Sequence, residues 1–198
     1  LKYSLTWSTE GLINEYGNPC FAIADRRLVE AAPLEGLEEI EIDGTLYEAF
    51  NTSGGLGSLA ETYGERVQAM DYKTMRYPGH MELMNFFFHE LLMRDQREMA
   101  GKILTTAKPP VDDDVVYIHV AAEGSVNGQM LRKEFVRAYK PIEVGGKSRT
   151  AIAWTTSASV VSVIEMVRDD ILPQKGFLKQ EEIPLEAFLK TWTGRLYA

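Results

Sequence analysis

The sequence has little of the residues that build metal sites and disulfides. Its 198 residues include one cysteine and three histidines. A single cysteine, Cys20, excludes a disulfide framework and a cysteine-rich metal site. The histidines are scattered, and His89-Glu90 lacks the second histidine of the H-E-x-x-H zinc motif. One histidine with scattered carboxylates does not make a coordination shell, so we expect no bound metal.

Basic residues and long apolar runs are also scarce. The chain has 21 Lys and Arg against 29 Asp and Glu, a net charge of −8. Nucleic acid requires a clustered basic surface, so we expect no nucleic-acid partner. No apolar run approaches the roughly 20 residues of a membrane span, so we expect no membrane partner. Residues 1–8 lack the pattern of a secretion signal, and together these absences predict a reduced, cytoplasmic domain.

The length and composition suit one folded domain over residues 1–198. Hydrophobic residues make up 45% of the chain and charged residues 25%, as in an ordinary globular domain. The chain opens on Leu-Lys-Tyr without an initiator methionine. We therefore expect a piece cut from a longer protein at a domain boundary.

The hydrophobic patterns predict a mixture of strands and helices. Strands are predicted over Cys20–Ala24, Arg27–Ala31, Leu37–Ile42, Leu46–Phe50, Val67–Thr74, Val115–Ala122, Leu131–Lys140 and Arg149–Trp154. Helices are predicted over Trp7–Tyr16, Ser58–Tyr63, Met81–Met93, Gln96–Thr105, Ser157–Ile171 and Leu185–Trp192. Because the helices do not alternate strictly with strands, an α+β fold is favoured. Its sheet should be mixed and largely antiparallel, with helices packed on one face.

Two of these segments carry further expectations. Asp43-Gly44 suits a type I′ turn and predicts a hairpin between its flanking strands. Leu131–Lys140 fits either an amphipathic helix or a strand. We favour a strand, because Val115–Ala122 is a nearly continuous apolar run, typical of a buried strand, and needs a partner.

A glycine-rich loop raises the question of nucleotide binding. Gly55–Ala60 matches G-x-G-x-x-A, but that fingerprint requires a helix long enough to cross the sheet, and only Ser58–Tyr63 is available. We favour a loop whose backbone, with the side chains of Asn51, Thr52 and Ser53, contacts a polar substrate, or one that is simply mobile. No cofactor site is expected in these residues.

The run Asp112-Asp113-Asp114 resembles a metal-binding or phosphate-handling cluster. Adjacent carboxylates cannot share one face of a strand, so a solvated segment that leads into a strand is the preferred interpretation.

The densest chemistry lies in Asp71–His80, which reads D-Y-K-T-M-R-Y-P-G-H. At the end of a strand, the planar fork of Arg76 suits a substrate carboxylate, and Lys73 offers a second charge. Tyr77 and His80 add groups that donate or accept hydrogen bonds. A surface strand with ordinary ion pairs fits the same residues. Residue types alone leave both interpretations open.

Three blocks of sequence resemble the saccharopine dehydrogenase (saccharopine reductase) family. Tyr72–His80 resembles its K-T-L-R-Y-P-G-H signature, nearest to the branch of lysine 6-dehydrogenase-like enzymes. Trp7-Ser8 with Gly11–Ile13 resembles the S-W-S-x-x-G-x-(I/V/L) block that begins the same domain. The Thr155–Met166 helix, with Gly176-Phe177-Leu178 and Glu182-Ile183-Pro184 after it, resembles the C-terminal pattern. The resemblance covers essentially the whole chain.

The resemblance implies the C-terminal catalytic, or substrate, domain of a nicotinamide-dependent oxidoreductase. The chemistry of the family is hydride transfer to or from a C–N bond of an amino acid. The fold would be similar to the second domain of glyceraldehyde-3-phosphate dehydrogenase, and the domain often mediates homodimerisation. NAD or NADP would be bound by an N-terminal Rossmann domain that this chain lacks, so the isolated chain should be inactive.

The same resemblance implies roles for particular residues. Arg76 with Lys73 would hold a substrate carboxylate, and Tyr77 and His80 are the candidate catalytic groups. The pocket would be lined by Trp7, Ser8, Asn51, Thr52 and Ser53. Saccharopine reductases have a P-N-R-D-S-type segment at the place of Asn51–Ser53, and this sequence has no arginine there. That difference favours a substrate with fewer carboxylates than saccharopine. The alternative function is a non-catalytic module for small-molecule binding or dimerisation.

Overall fold

The computed structural model describes residues 2–198, which form two compact units. The first unit contains the N-terminal part of the chain up to Pro110 together with Lys175–Pro184. The second contains Val111–Gln174 and Leu185–Ala198. Both combine helices with small antiparallel sheets, so the predicted α+β class is confirmed. The assignment of the whole chain to one domain and the likeness to glyceraldehyde-3-phosphate dehydrogenase stay predictions.

The first unit consists of two small sheets and the helices around them. Its helices are α1 (Thr9–Gly17), α2 (Leu59–Tyr63), α3 (His80–Asn85), a π-helical turn (Phe86–Glu90), two 3₁₀ turns (Met93–Asp95 and Gln180–Glu182) and α4 (Arg97–Ala107). Its strands are β1 (Cys20–Ala24), β2 (Arg27–Ala31), β3 (Glu38–Ile42), β4 (Thr45–Asn51), β5 (Ala69–Met70) and β6 (Lys73–Arg76). The strand orders are β2-β1-β5 and β3-β4-β6, and every pairing is antiparallel.

Local turn and cap chemistry sets the early elements, as predicted. The hydroxyl of Ser8 accepts a hydrogen bond from the Gly11 N–H at 3.1 Å and starts α1. Asp43 and Gly44 have φ angles of 51° and 76°, both positive as a type I′ turn requires, and they join β3 to β4. The core of this unit then forms between α1, β4, α3 and α4 from Leu5, Leu12, Ile13, Tyr16, Leu34, Phe50, Met84, Phe87, Phe88, Ala100 and Leu104.

Two predictions for this unit are wrong in detail. Val67–Thr74 is not one strand: Ala69–Met70 pairs with β1, whereas Lys73–Arg76 pairs with β4 in the other sheet, so the chain bends between them. Met81–Met93 is not one α-helix either. After Asn85 the bonding changes, and the Leu91 N–H donates to the carbonyl of Phe86, five residues back.

The second unit is a long hairpin, a short hairpin and a helix. Its elements are β7 (Val116–Val126), β8 (Gln129–Tyr139), β9 (Ile142–Val144), β10 (Lys147–Arg149), α5 (Ala151–Arg168), α6 (Leu185–Phe188) and a 3₁₀ turn (Gly194–Tyr197). The preference for a strand at Leu131–Lys140 is confirmed by β8, which pairs along its whole length with β7. No helix within residues 2–198 is long and apolar enough to cross a membrane.

Three predictions for this unit are corrected. Arg149–Trp154 is not a strand, because the Thr150 hydroxyl accepts a hydrogen bond from the Ala153 N–H and starts α5 there. The last helix ends at Phe188, where the hydrogen bonds change to a 3₁₀ pattern, so the predicted range Leu185–Trp192 is too long. Val115–Ala122 is not a buried strand, since β8 is its one partner strand within residues 2–198 and its Val120 side chain is 55% exposed.

Asp114 has a structural role that its sequence context did not indicate. Its carboxylate accepts hydrogen bonds from the N–H groups of Ala151, at 2.5 Å, and Ile152, at 2.9 Å. These are among the free donors of the first turn of α5, and a negative charge there also suits the helix dipole.

We predict that Asp114→Ala lowers the free energy of unfolding by about 1–2 kcal/mol, because two backbone donors lose their partner. The matched control is Asp113→Ala, at an exposed neighbouring position, for which the change should be within about 0.5 kcal/mol. Urea unfolding followed by circular dichroism measures both. Equal losses in the two variants would contradict the role of Asp114.

Candidate functional site

A buried carboxylate fixes the turn between β6 and α3. Glu48, on β4, is 6% exposed and accepts hydrogen bonds from the backbone N–H groups of Gly79, at 2.7 Å, and Met81. Gly79 has a φ of +90°, a conformation that disfavours any residue with a Cβ. Lys2 donates to the carbonyl oxygen of Pro78 at 2.7 Å from the other side. The turn that places Arg76 and His80 is therefore held by charged side chains from two other segments.

Arg76 lies on the face of β6 that packs against α1. Its side chain is 17% exposed, and its guanidinium carbon lies 4.6 Å from the ring centre of Tyr3, a cation–π contact. Nε donates to the hydroxyl of Tyr16 at 3.2 Å, and Nη1 donates to the carbonyl of Met75 at 2.9 Å. Nη2 faces the carboxylate of Glu15 at 3.8 Å, too far for a hydrogen bond. One arm of the fork therefore remains available to an anion.

His80 is fully buried beside the same tyrosines. Its Nε2 lies 2.9 Å from the Tyr16 hydroxyl, and its ring centre lies 5.4 Å from that of Tyr3. Trp7 joins the group because its indole N–H donates to the Tyr3 hydroxyl at 2.7 Å. The structure thus brings together Trp7, Arg76 and His80, which the sequence singled out, through two tyrosines that it did not.

The loop Asn51–Ser53 divides between the two faces of the sheet. Asn51 pairs with Lys73 across β4 and β6, on the face opposite to Arg76. The Thr52 hydroxyl lies 2.7 Å from that of Thr74, which shares the Arg76 face. Ser53 bonds to the end of α1, its hydroxyl to the Asn14 carbonyl and its N–H to the Glu15 carbonyl, both at 3.0 Å. This loop therefore fastens the helix that carries Glu15 and Tyr16.

Lys73 and Tyr77 lie outside the cluster around Arg76. Lys73 is three residues from Arg76 on the same strand, and the two side chains therefore leave opposite faces of the sheet. Lys73 pairs with Glu38 instead. Tyr77 is half exposed and its ring packs on Tyr47, with ring centres 5.4 Å apart. Lys73 and Arg76 are thus not placed to hold one carboxylate together.

The glycine-rich loop has a packing explanation. A Cβ added to Gly55 would lie 1.8 Å from the ring of Tyr72, so this glycine makes room for an aromatic ring. The helix that follows, Leu59–Tyr63, has only five residues and its N-cap residue, Ser58, makes no side-chain cap hydrogen bond. Ser58 instead donates to Glu181 at 2.8 Å. These features do not fit a dinucleotide cradle.

Burial controls the protonation of two groups at this site. Burial raises the pKa of the Tyr16 hydroxyl, an effect that the Arg76 charge only partly offsets, so the phenol stays protonated at neutral pH. Burial likewise raises the pKa of the Glu15 carboxyl in spite of the nearby guanidinium. Its Oε2 is buried and has no hydrogen-bond partner within residues 2–198.

Access to the cluster is limited on the side of the core. A cavity of about 10 Å³, lined by Tyr3, His80, Lys108 and apolar residues, has room for about one water molecule. A ligand must therefore approach from the exposed edges of Arg76 and Glu15, whose side chains are 17% and 24% exposed. His80 is buried and is linked to this edge through the hydroxyl of Tyr16.

Four residues of this site were missed by sequence reasoning: Tyr3, Glu15, Tyr16 and Glu48. Glu15 and Tyr16 lie at the end of α1, where they read as ordinary helix residues. Glu48 is the one with a visible signal, because a charged residue in an otherwise apolar strand needs a buried partner.

The comparison with protein families gives a match over nearly the whole chain. The family model described as "Saccharopine dehydrogenase C-terminal domain" matches residues 1–197. The predicted family is therefore confirmed. The narrower assignment to the lysine 6-dehydrogenase-like branch and the roles of individual residues stay predictions.

We predict a pH-dependent effect of Glu15→Gln on stability. Because the pKa of Glu15 is raised in the folded state, its stabilising contribution is complete below the ordinary glutamate value of 4.5 and is lost as the pH rises through the folded-state pKa. The wild-type protein should therefore lose unfolding free energy relative to Glu15→Gln over the pH range that begins at about 4.5 and extends upward. Thermal unfolding across this range measures the difference. Glu10→Gln, exposed on the same helix, is the control, and parallel curves for Glu15→Gln and wild type would contradict the prediction.

Proposed function

Because the chain belongs to the saccharopine dehydrogenase C-terminal domain family, we propose that it is the substrate-binding part of a nicotinamide-dependent amino-acid oxidoreductase. The reaction would be hydride transfer at a C–N bond of the substrate. NAD or NADP, held by a separate Rossmann domain outside this chain, would accept or supply the hydride. The residues described here would bind and orient the amino acid.

Arg76 is the observation that carries this proposal. A guanidinium held among aromatic rings, with Nη2 making no hydrogen bond to any residue from 2 to 198, suits a carboxylate that binds its fork. Water screens such a charge poorly at this depth, so the attraction for an anion is stronger than on an open surface. Lys73 lies on the opposite face, where it forms an ion pair with Glu38, and we give it no role in binding the carboxylate.

Tyr16 and His80 would act as positioning residues for Arg76. The Tyr16 hydroxyl accepts the Nε–H of Arg76, so its own proton is free to point at Nε2 of His80. In that arrangement Nε2 of His80 accepts the hydrogen bond from Tyr16. Trp7 supports the same group through Tyr3. Tyr77, which is exposed at the edge, remains a candidate for contact with the reacting amine.

The substrate should carry fewer carboxylates than saccharopine. Asn51, Thr52 and Ser53 supply hydroxyl and amide groups at the place where saccharopine reductases have an arginine, and Asn51 lies on the far face of the sheet. Arg76 would then anchor a single carboxylate.

We predict that Arg76→Lys in the full-length protein lowers kcat/KM for its amino-acid substrate by about ten- to hundredfold, because a lysine keeps the charge and loses the fork. Arg76→Ala should be at least as impaired. Lys73→Ala, on the opposite face of the same strand, is the control and should retain kcat/KM within about threefold. Steady-state kinetics with both cofactors and a panel that includes lysine, saccharopine and carboxylated polyamines measures this. Normal kcat and KM in Arg76→Ala would refute the carboxylate role.

The alternative class, a dimerisation module, has support of its own in the β7–β8 hairpin. One face of the hairpin is mainly apolar, although Lys133 and Arg137 also lie on it; its apolar members are Val116, Ile118, Val120, Ala122, Val126, Leu131, Phe135 and Tyr139. Val116 and Tyr139, at the base, pack with Trp154, whereas Val120 and Phe135, further out, are 55% and 47% exposed. The other face carries ion pairs, such as His119 with Glu134.

A second copy of this chain is the partner that we propose for the apolar face. A two-stranded hairpin is marginal in water unless an apolar face is covered, and here the same face is already covered at its base. Two identical faces can cover each other about a twofold axis, the commonest symmetry of homo-oligomers. Dimerisation through this face is compatible with the enzymatic function, so the two functions do not exclude each other.

We predict that the wild-type protein is a dimer in light scattering at high concentration and that Val120→Glu converts it to a monomer. Val136→Glu is the matched control, since Val136 is also exposed on this hairpin but belongs to the opposite face, and it should remain dimeric. A monomeric wild type, or equal effects of the two substitutions, would remove this surface as the dimer interface.

A further inference from the structure

Glu15 has a geometry that a structural ion pair does not explain. Its Oε2 is buried and makes no hydrogen bond within residues 2–198, although buried side-chain oxygens are nearly always bonded. Nη2 of Arg76 lies 3.8 Å away. The backbone of Glu15 is fixed, because its carbonyl accepts the N–H of Ser53. The carboxylate is therefore held beside the guanidinium without being satisfied by it.

The pair is also incomplete in energetic terms. A buried ion pair repays its desolvation only when its geometry is good and its remaining hydrogen-bonding groups have partners. Here the two groups approach without a hydrogen bond, and burial raises the pKa of Glu15 despite the adjacent positive charge. If this ion pair served only to stabilise the fold, a shorter distance between Nη2 and Oε2 would stabilise it more. A ligand that brings both a negative and a positive group would complete both partners.

The two charges lie side by side, and part of each side chain is exposed. Arg76 is 17% and Glu15 is 24% exposed. The α-carboxylate and α-ammonium groups of an amino acid are separated by one carbon, so they too lie side by side. A zwitterion set against this pair would place each of its charges next to the opposite one.

We propose that Glu15 is a specificity-determining residue that binds the α-ammonium group of the substrate while Arg76 binds the α-carboxylate. This inference rests on the proposed function, because it uses Arg76 as the carboxylate anchor. It adds a requirement that Arg76 alone does not impose: the site selects a carboxylate that carries an amino group on the adjacent carbon. An acid that lacks that group leaves Glu15 without a partner and should bind more weakly.

The test compares L-lysine with 6-aminohexanoate, which keeps the carboxylate and the distal amine and lacks the α-amino group. Isothermal titration calorimetry on the full-length protein gives both dissociation constants. A charge-assisted hydrogen bond predicts that wild type binds L-lysine about ten- to hundredfold more tightly than 6-aminohexanoate. In Glu15→Gln, which keeps the size of the side chain, this ratio should fall to within about threefold of one, mainly through weaker binding of L-lysine. Glu10→Gln, exposed on the same helix, should keep the wild-type ratio.

Each outcome separates this inference from the proposed function. A wild-type ratio near one, or an unchanged ratio in Glu15→Gln, overturns the role of Glu15, and the proposed function stands if Arg76→Lys weakens both ligands. If Arg76→Lys leaves both ligands unaffected, the carboxylate role of Arg76 in the proposed function fails, and this inference fails with it. If wild type binds neither ligand, this inference is overturned, and the substrate panel decides the proposed function. The wild-type ratio does not depend on the folding of any variant, so it tests the proposal even if Glu15→Gln is unstable.

Discussion

The buried carboxylate of Glu48 is the constraint on which the candidate site depends. It accepts the N–H groups of Gly79 and Met81, and so ties β4 to the start of α3 across the turn after β6. Glu48 is also the residue of β4 that pairs with Arg76 across the sheet. One carboxylate thus fixes the direction of the chain on both sides of Pro78-Gly79. Arg76 is directed to one face of β6, and His80 is buried behind it.

From that fixed corner the polar network extends to Tyr16 and His80, and within residues 2–198 two groups in it lack a hydrogen bond, Nη2 of Arg76 and Oε2 of Glu15. Arg76 bonds to Tyr16, Tyr16 bonds to His80, and Trp7 bonds to Tyr3 over the guanidinium. Each bond limits how far the guanidinium can move, which is what a preorganised anchor requires. The buried Oε2 of Glu15 lies beside Nη2 of Arg76, and two neighbouring groups without hydrogen bonds are the pattern expected where a ligand supplies the missing partners.

Sequence reasoning succeeded where structure is set locally and failed where partners decide it. The hairpin at Asp43-Gly44 and the start of α1 follow from turn and cap residues within a few positions. The split of Val67–Thr74 depends on two different sheets, and the exposure of Val120 depends on what covers the hairpin. Arg76 was identified from its type and its position before a turn. Its partner Tyr16 was not identified, because it lies 60 positions away and no residue near either one indicates the contact.

The period of the β-strand decides how many charges this site offers. Lys73 and Arg76 are close in sequence and suggest a doubly cationic anchor, but an odd spacing on a strand sends them to opposite faces. By the same alternation, the Asn51 side chain lies on the face of Lys73, outside the cluster around Arg76. The Thr74 side chain lies on the same face as Arg76. Of the two acidic residues near Arg76, Glu48 is bonded to the backbone N–H groups of Gly79 and Met81, and Glu15 is the one whose carboxylate faces the guanidinium. A single cation beside a single anion suits a ligand with one charge of each sign at adjacent atoms, and it disfavours a ligand that must place two carboxylates here.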